Sequence, residues 1–207
     1  LDACQSAGQI PLDVERLQCD MLSATGRKFL RGPRGTGFLY VRRHMLERLR
    51  PPMIDLHAAT WVATREYDLR PDARRFENWE SYVAGRVGLG VAAEYALSLG
   101  IEAIEARVTG LADTLRAHLA AIPGVTVRDL GTRRCGIVSF TVAGKDAAGL
   151  KDALRSRSVN VSVSSLASTR FDMERRRLES LLRASVHYYN SEDEIDRFCT
   201  ILAELVR

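Results

Sequence analysis

The sequence predicts an α/β fold over residues 1–100 that passes into a smaller α+β domain over residues 101–207. Three observations point there. A loop rich in glycine and hydroxyls, Ser23 to Gly37, lies between two apolar, strand-like runs. Two long helical patterns follow, over 76–98 and 101–122, parted by Gly100. Short strand and helix patterns then alternate to the C-terminus.

Taken in order, Leu1-Asp2-Ala3-Cys4-Gln5 reads as the end of a buried strand entering a polar loop. Residues 14–17 offer a short helix, 19–22 a second strand and 38–41 a third. A short amphipathic helix around 44–49 ends at Pro51-Pro52, because proline cannot continue a helix. From 53 to about 76 periodicity fails. A long irregular stretch in a compact protein is usually functional or disordered, and beside the lysine loop it reads as a substrate or dimer loop. Phe76 opens a mostly apolar helix that runs to about Ser98. Ile101, Ile104, Val108, Leu111, Leu115, Leu119 and Ile122 then recur at spacings of three and four, one face of an amphipathic helix that Pro123-Gly124 ends. Strands follow at 125–130 and 136–142, a helix at 147–155, a Val-x-Val strand at 159–163, a helix at 172–181 and a strand at 182–188. Ser191 and Glu194 form a capping box for a last helix, whose Ile195, Phe198, Leu202 and Leu205 share a face.

Composition removes several function classes. The net charge is +4, and no run of five like charges appears, so no nucleic-acid tail is indicated. The four cysteines, at 4, 19, 135 and 199, form no C-x-x-C, and the histidines at 44, 57, 118 and 187 are scattered. Neither a disulfide framework nor a metal site is expected. No apolar run is long enough to span a bilayer, no signal peptide is read, and a reducing cytoplasm is the expected compartment. The chain lacks G-x-x-x-x-G-K-[S/T], which excludes a P-loop NTPase. It also lacks the aromatic RNP motif of a common RNA-binding module.

The chemistry concentrates in Thr25-Gly26-Arg27-Lys28 and the glycines after it. Glycines let backbone approach a ligand closely. Hydroxyls, backbone N–H groups and a guanidinium suit a phosphate. A lysine there serves as a point charge or as an amine that forms a Schiff base; a solvated, Arg-rich turn is the alternative. Asp2 adds a carboxylate at a strand end, which is costly there without a cationic partner. Pyridoxal phosphate needs both groups: a carboxylate for its ring nitrogen and a lysine for its aldehyde.

At these residues the chain resembles a known group. Asp2-Ala3-Cys4-Gln5, Thr25-Gly26-Arg27-Lys28 and Gly32-Pro33-Arg34-Gly35-Thr36-Gly37-Phe38-Leu39-Tyr40 resemble motifs of the class V aminotransferase-like, fold-type I pyridoxal-phosphate enzymes. Arg183-Ala184-Ser185 with Tyr189-Asn190 resembles a later segment of the same family. That group includes cysteine desulfurases, isopenicillin N epimerase-like proteins and C–S lyases. The resemblance implies the C-terminal part of a PLP-dependent transferase (fold type I) large domain, followed by the small C-terminal domain. It implies Lys28 as the Schiff-base lysine and acid/base at the substrate Cα, and Asp2 as partner of the ring nitrogen. It implies Gln5 as donor to the ring hydroxyl, Thr25 and Arg27 as phosphate ligands, and Arg183 as clamp for the α-carboxylate of an amino-acid substrate. Arg27 stands where the family usually has histidine. A guanidinium holds phosphate in two-pronged fashion but cannot serve as a near-neutral proton donor.

Two further expectations follow from the resemblance. Family members are longer, and Leu1 stands where a core strand should already be under way, so the N-terminal half of the same enzyme is expected as a missing partner. A homodimer is expected too, with the helix after Phe76 at its interface. In the family a threonine of that segment reaches the partner's cofactor phosphate; here Glu80 falls near that position, beside Ser81. The reaction subtype is read from an absence. Cysteine desulfurases carry a nucleophilic cysteine in the loop after the Val-x-Val strand, and Ser164-Ser165-Leu166-Ala167-Ser168-Thr169-Arg170 holds no sulfur. The expected activity is aminotransferase-like chemistry at the Cα-amino group of an amino acid. C–S lyase or epimerase chemistry on the same scaffold, or a non-catalytic homologue, is the alternative.

Overall fold

A computed structural model describes residues 1–207. The chain divides into two compact units, Leu1–Glu102 and Ala103–Arg207.

In the first unit, α1 (Val14–Leu17) is capped by the Asp13 carboxylate, which accepts from the Glu15 and Arg16 N–H groups. β1 (Met21–Thr25) and β2 (Gly37–Val41) pair antiparallel, with Thr25 opposite Gly37. The strand expected at 19–22 therefore begins two residues later, and it carries the chain into the lysine loop. Residues 1–3 run parallel to β1. Asp2 bridges Ser23, and the Ala3 N–H donates to the Ser23 carbonyl at 2.8 Å. Ala3, Ala7, Leu22 and Ala24 form a small buried cluster beneath. Leu1 itself is exposed, contrary to the reading of a buried strand; only Ala3 of this stretch faces the core.

The segment read as irregular contains regular structure. β3 (Ala59–Ala63) and β4 (Glu66–Leu69) form an antiparallel hairpin with a register shift between Trp61 and Ala63. A 3-10 turn covers Ala73–Phe76. The apolar helix is shorter than predicted: α2 spans Val83–Leu99. Residues 77–82 are held out of it, because the Trp79 N–H donates to Asp55 Oδ2 at 2.7 Å. Val83, Val87, Val91 and Tyr95 are exposed along α2 at four-residue spacing. Gly100 ends the helix at φ +86°, its N–H donating to the Ala96 and Leu97 carbonyls.

The second unit begins within α3 (Ile101–Ala121), which buries Ile104, Val108, Leu111, Leu115 and Leu119 on one face as the periodicity predicts. β5 (Val125–Val127), β6 (Ile137–Val142), α4 (Ala147–Ser156), β7 (Ser162–Ser165), α5 (Arg170–Arg176), β8 (Ser180–Ser185) and α6 (Glu192–Val206) follow. The strands form one antiparallel sheet in the order β5-β6-β8-β7. Val138, Phe140, Leu182 and Ala184 lie on its buried face, and Phe140 meets Phe198 of α6 edge to face. The capping box of α6 is present, with Ser191 and Glu194 each serving the other's backbone N–H. Arg116 is buried inside this unit. Its Nε donates to Asp129 at 2.7 Å, and it also donates to the Cys135 carbonyl. Asp129 in turn accepts from the Ser139 backbone and hydroxyl. No single helix of the chain is long and apolar enough to cross a membrane.

Candidate active site

Two loops of the first unit meet along β1. After Ala3 the chain turns back at once, the Ser6 and Ala7 N–H groups donating to the Ala3 carbonyl. The turn presses Gly8 against the second loop: a Cβ on Gly8 would stand 2.6 Å from the Leu30 nitrogen. Only glycine fits, and its φ of +83° needs glycine as well.

The second loop, residues 26–32, carries Lys28. The Gly26 N–H donates to the Thr36 carbonyl at 2.9 Å, and the Gly32 N–H closes the loop onto the Gly26 carbonyl at 2.7 Å. Phe29 is buried and anchors the loop, while Lys28 beside it is half-buried. A Cβ on Gly26 would stand 2.4 Å from the Thr36 hydroxyl, so Thr36 packs against the start of the loop only because position 26 is glycine.

Asp2 is exposed at the end of its short bridge to β1. Its Oδ1 accepts the Cys4 N–H at 2.8 Å. The Cys4 backbone, the Cys4 thiol and, more weakly, the Lys28 charge hold the Asp2 carboxyl below its ordinary value. Asp2 is thereby ionised at neutral pH. Lys28 acts on it as a nearby charge without forming an ion pair. Thr25 is half-buried, its hydroxyl turned toward the Thr36 carbonyl at 3.4 Å; Arg27 is exposed on the same loop; Gln5 is half-buried in the first turn. The structure therefore gathers Asp2, Gln5, Thr25, Arg27 and Lys28 onto two adjoining loops.

Arg183 lies in the second unit, on β8, directly opposite Ser139 of β6 and Ser162 of β7. It is half-buried, and its Nε is buried with no hydrogen-bond partner. An unpaired buried donor is costly unless something else satisfies it. The loop after β7 turns at Leu166–Ser168 and enters α5. Ser168 and Thr169 hydroxyls close it by donating to the Ser165 carbonyl.

Sequence reasoning passed over Cys4 at this site. It stood as one of four scattered cysteines, although its place two residues after Asp2 is the spacing at which an N–H reaches back to an aspartate side chain. The remaining thiols sit elsewhere. Cys199 is buried in α6, and burial pushes its pKa up to about 11.

Known proteins are similar to this chain in sequence and in fold. The family model described as aminotransferase class-V matches residues 1–198. A probable cysteine desulfurase of Pyrococcus abyssi is 30% identical over 209 residues, covering all of this chain and 52% of its own length. The apo structure of a cysteine desulfurase from Thermococcus onnurineus NA1 superposes with a TM-score of 0.92 at 29% identity, over 99% of this chain and 51% of that one. The cystine C-S lyase C-DES, solved with its reaction product cysteine persulfide, gives a TM-score of 0.82 at 27% identity, over 97% of this chain and 50% of its own. A lysine-to-alanine mutant of C-DES, solved with glycine covalently linked to its PLP cofactor, matches equally well, at 26% identity and a TM-score of 0.83 over the same shares of the two chains. The chain thus spans about half the length of these relatives. A family model that covers nearly the whole sequence, with relatives aligned end to end along it, gives one conclusion: the chain belongs to the class-V aminotransferase family.

Proposed function

We propose that this chain carries the lysine-bearing part of a pyridoxal-phosphate enzyme that acts at the Cα-amino group of an amino acid. The observation that carries the reading is the pairing of Asp2 with Lys28. An aspartate that accepts a backbone N–H and a half-buried lysine lie on adjoining loops, and the lysine's charge helps to lower the carboxyl's pKa. The residues present fit the cofactor. Asp2 would face the ring nitrogen, Gln5 the ring hydroxyl, and Thr25 and Arg27 the phosphate. Lys28 would hold the cofactor covalently. Pyridoxal phosphate, when bound, draws electrons from the bonds at the substrate's Cα.

The chain's own groups do the rest. The Lys28 amine would move a proton at Cα. Asp2, as an anion, favours a protonated ring nitrogen. Arg183 binds the α-carboxylate through its planar fork, and its unpartnered Nε supports that role.

A second reading concerns the bond that breaks. The likeness to C-DES, a cystine C-S lyase, supports cleavage of a carbon–sulfur bond. The curated relatives are named cysteine desulfurases. Persulfide formation on the enzyme requires a mobile, accessible thiolate. The 164–170 loop contains none, and Cys199 is buried with a raised pKa. The reading therefore leaves out desulfuration through an enzyme-bound persulfide. Homodimer formation remains part of the proposal, with the exposed face of α2 as its surface.

The deciding experiment is reduction with borohydride after reconstitution with pyridoxal phosphate. Peptide mapping should place the adduct on Lys28, and Lys28→Ala should abolish it. An adduct elsewhere sinks the assignment. Parallel assays for keto acid, sulfide and racemised product then separate the reaction subtypes.

A further inference from the structure

Helix α2 brings to the lysine loop a side chain that no role given so far explains. The positions of α2 that are not exposed are Gly85, Gly88, Leu89, Ala92, Ala93 and Ala96, and only Leu89 among them carries more than a methyl group. The small residues let the helix come close to the segment after the loop. A Cβ on Gly88 would stand 2.8 Å from the Pro33 ring, and one on Gly85 would stand 2.9 Å from the Thr36 methyl. Leu89 then reaches the loop itself. A Cβ on Gly26 would stand 2.7 Å from Leu89 Cδ1, and a Cβ on Gly32 would stand 3.1 Å from the same atom. One methyl group therefore lies against both ends of the loop that carries Lys28. The same two residues are joined by a hydrogen bond, from the Gly32 N–H to the Gly26 carbonyl at 2.7 Å.

We propose that Leu89 is a positioning residue, whose methyl group seals the Gly26–Gly32 closure from water and so holds the Lys28 amine in one place. The proposal rests on the assignment of Lys28 made above. A hydrogen bond is electrostatically stronger where water is excluded, and a loop whose closure is wetted opens more often. Gly8 lies against the Phe29 and Leu30 backbone, so contacts stand on both sides of Lys28 along the chain. Leu89→Val withdraws the Cδ methyls from the two glycines and keeps an apolar side chain on the helix, the mildest truncation available. Leu89→Met restores the reach at similar volume.

Two measurements on the full chain test this. The first needs no cofactor: amide hydrogen exchange at Gly32, read as protection relative to the intrinsic rate. Protection should fall about fivefold in Leu89→Val, the net worth of one hydrogen bond, and return in Leu89→Met. Amides of the β1–β2 pair should keep theirs in both variants. Unchanged protection at Gly32 overturns the proposal. So does an equal loss across β1 and β2, which would make Leu89 a general packing residue. The second measurement is the pH dependence of the visible absorption of the protein loaded with pyridoxal phosphate, which reads the surroundings of Lys28 rather than the stability of the fold. The midpoint should shift in Leu89→Val and return in Leu89→Met; an unmoved midpoint in Leu89→Val also overturns the proposal. If the wild type takes up no pyridoxal phosphate, or its borohydride adduct lies away from Lys28, the assignment of Lys28 falls and the role of Leu89 falls with it, even where exchange shows the coupling. That pattern differs from unchanged protection at Gly32 with the adduct still on Lys28, so the two failures are told apart.

Discussion

The two units of this chain are held together by different means. The second buries large side chains: Leu115, Leu119, Phe140, Leu154, Met173, Leu182 and Leu202 are all sealed from solvent. The first buries mostly small side chains: the cluster around Ala3 and Leu22, and beyond it Phe29, Val41, Leu46, Ala58, Ala59 and Ala96. It leaves Met53, Leu56, Trp61, Trp79 and the Val83–Tyr95 stripe exposed, whereas Leu130, Phe171 and Tyr189 are the only large apolar side chains the second exposes. Order in the first unit comes from polar bonding to backbone. Asp55 accepts the His57, Ala58 and Trp79 N–H groups. The buried Arg75 donates to the Arg70 and Leu46 carbonyls, and Arg70 to that of His57. Side-chain burial is non-directional and strong in sum; hydrogen bonds are weaker but fix loop geometry. Within residues 1–102 the loops that carry the candidate cofactor groups are ordered mainly by hydrogen bonds to backbone.

The sharpest way to break this contrast is a core truncation in each unit. Phe140→Ala should destabilise the second unit by about 3–5 kcal/mol, the usual cost of a large aromatic cavity. Trp61→Ala, at an exposed site in the first, should change stability by no more than about 0.5 kcal/mol. Denaturant unfolding of both variants decides it, and similar losses would mean that the hairpin carries hidden burial.

A smaller effect separates the chemical roles of the units. Arg183→Ala should raise KM for the amino acid about tenfold or more, since a charge-assisted contact contributes roughly 1.5–3 kcal/mol. Cofactor content should stay unchanged, and so should the melting temperature, because the lost Nε has no partner in the fold. An unchanged KM, or a clear fall in melting temperature, would return Arg183 to a structural role.

The smallest effect is one of pH. The Trp79 N–H first, then those of Ala58 and His57, hold the Asp55 carboxyl below its ordinary value. A carboxyl depressed on folding contributes stability that is present above its unfolded pKa and is lost as pH falls through the folded one. Protection of the His57, Ala58 and Trp79 amides, relative to their intrinsic exchange rates, should therefore fall in acid, below the normal carboxylate range. In Asp55→Ala it should already be low at neutral pH. Flat protection across that range would show that these amides are guarded by something other than Asp55.

Legibility in the sequence followed the same division. The helix over 101–122 could be read because its buried residues recur at helical spacing, and Lys28 because its glycines and hydroxyls are neighbours in sequence. The hairpin escaped notice because nearly every residue in it is exposed, leaving no alternation to read. The start of α2 was misplaced because Asp55, 24 residues away, holds Trp79. The Val-x-Val strand was read too early for a related reason. The Val159 N–H is taken by the Leu154 carbonyl at the end of α4, and pairing with β8 begins only at Ser162. The Asp2–Cys4 bond is local, but neither residue type alone announces it.

The buried pair of Arg116 and Asp129 has a consequence for descent. The two members are not equivalent. Removing Arg116 strands the Asp129 carboxylate, at a cost of about 3–5 kcal/mol, whereas removing Asp129 leaves Arg116 a second carboxylate, that of Asp113 at 3.1 Å. A relative with only one of the two is therefore expected to keep Arg116 rather than Asp129.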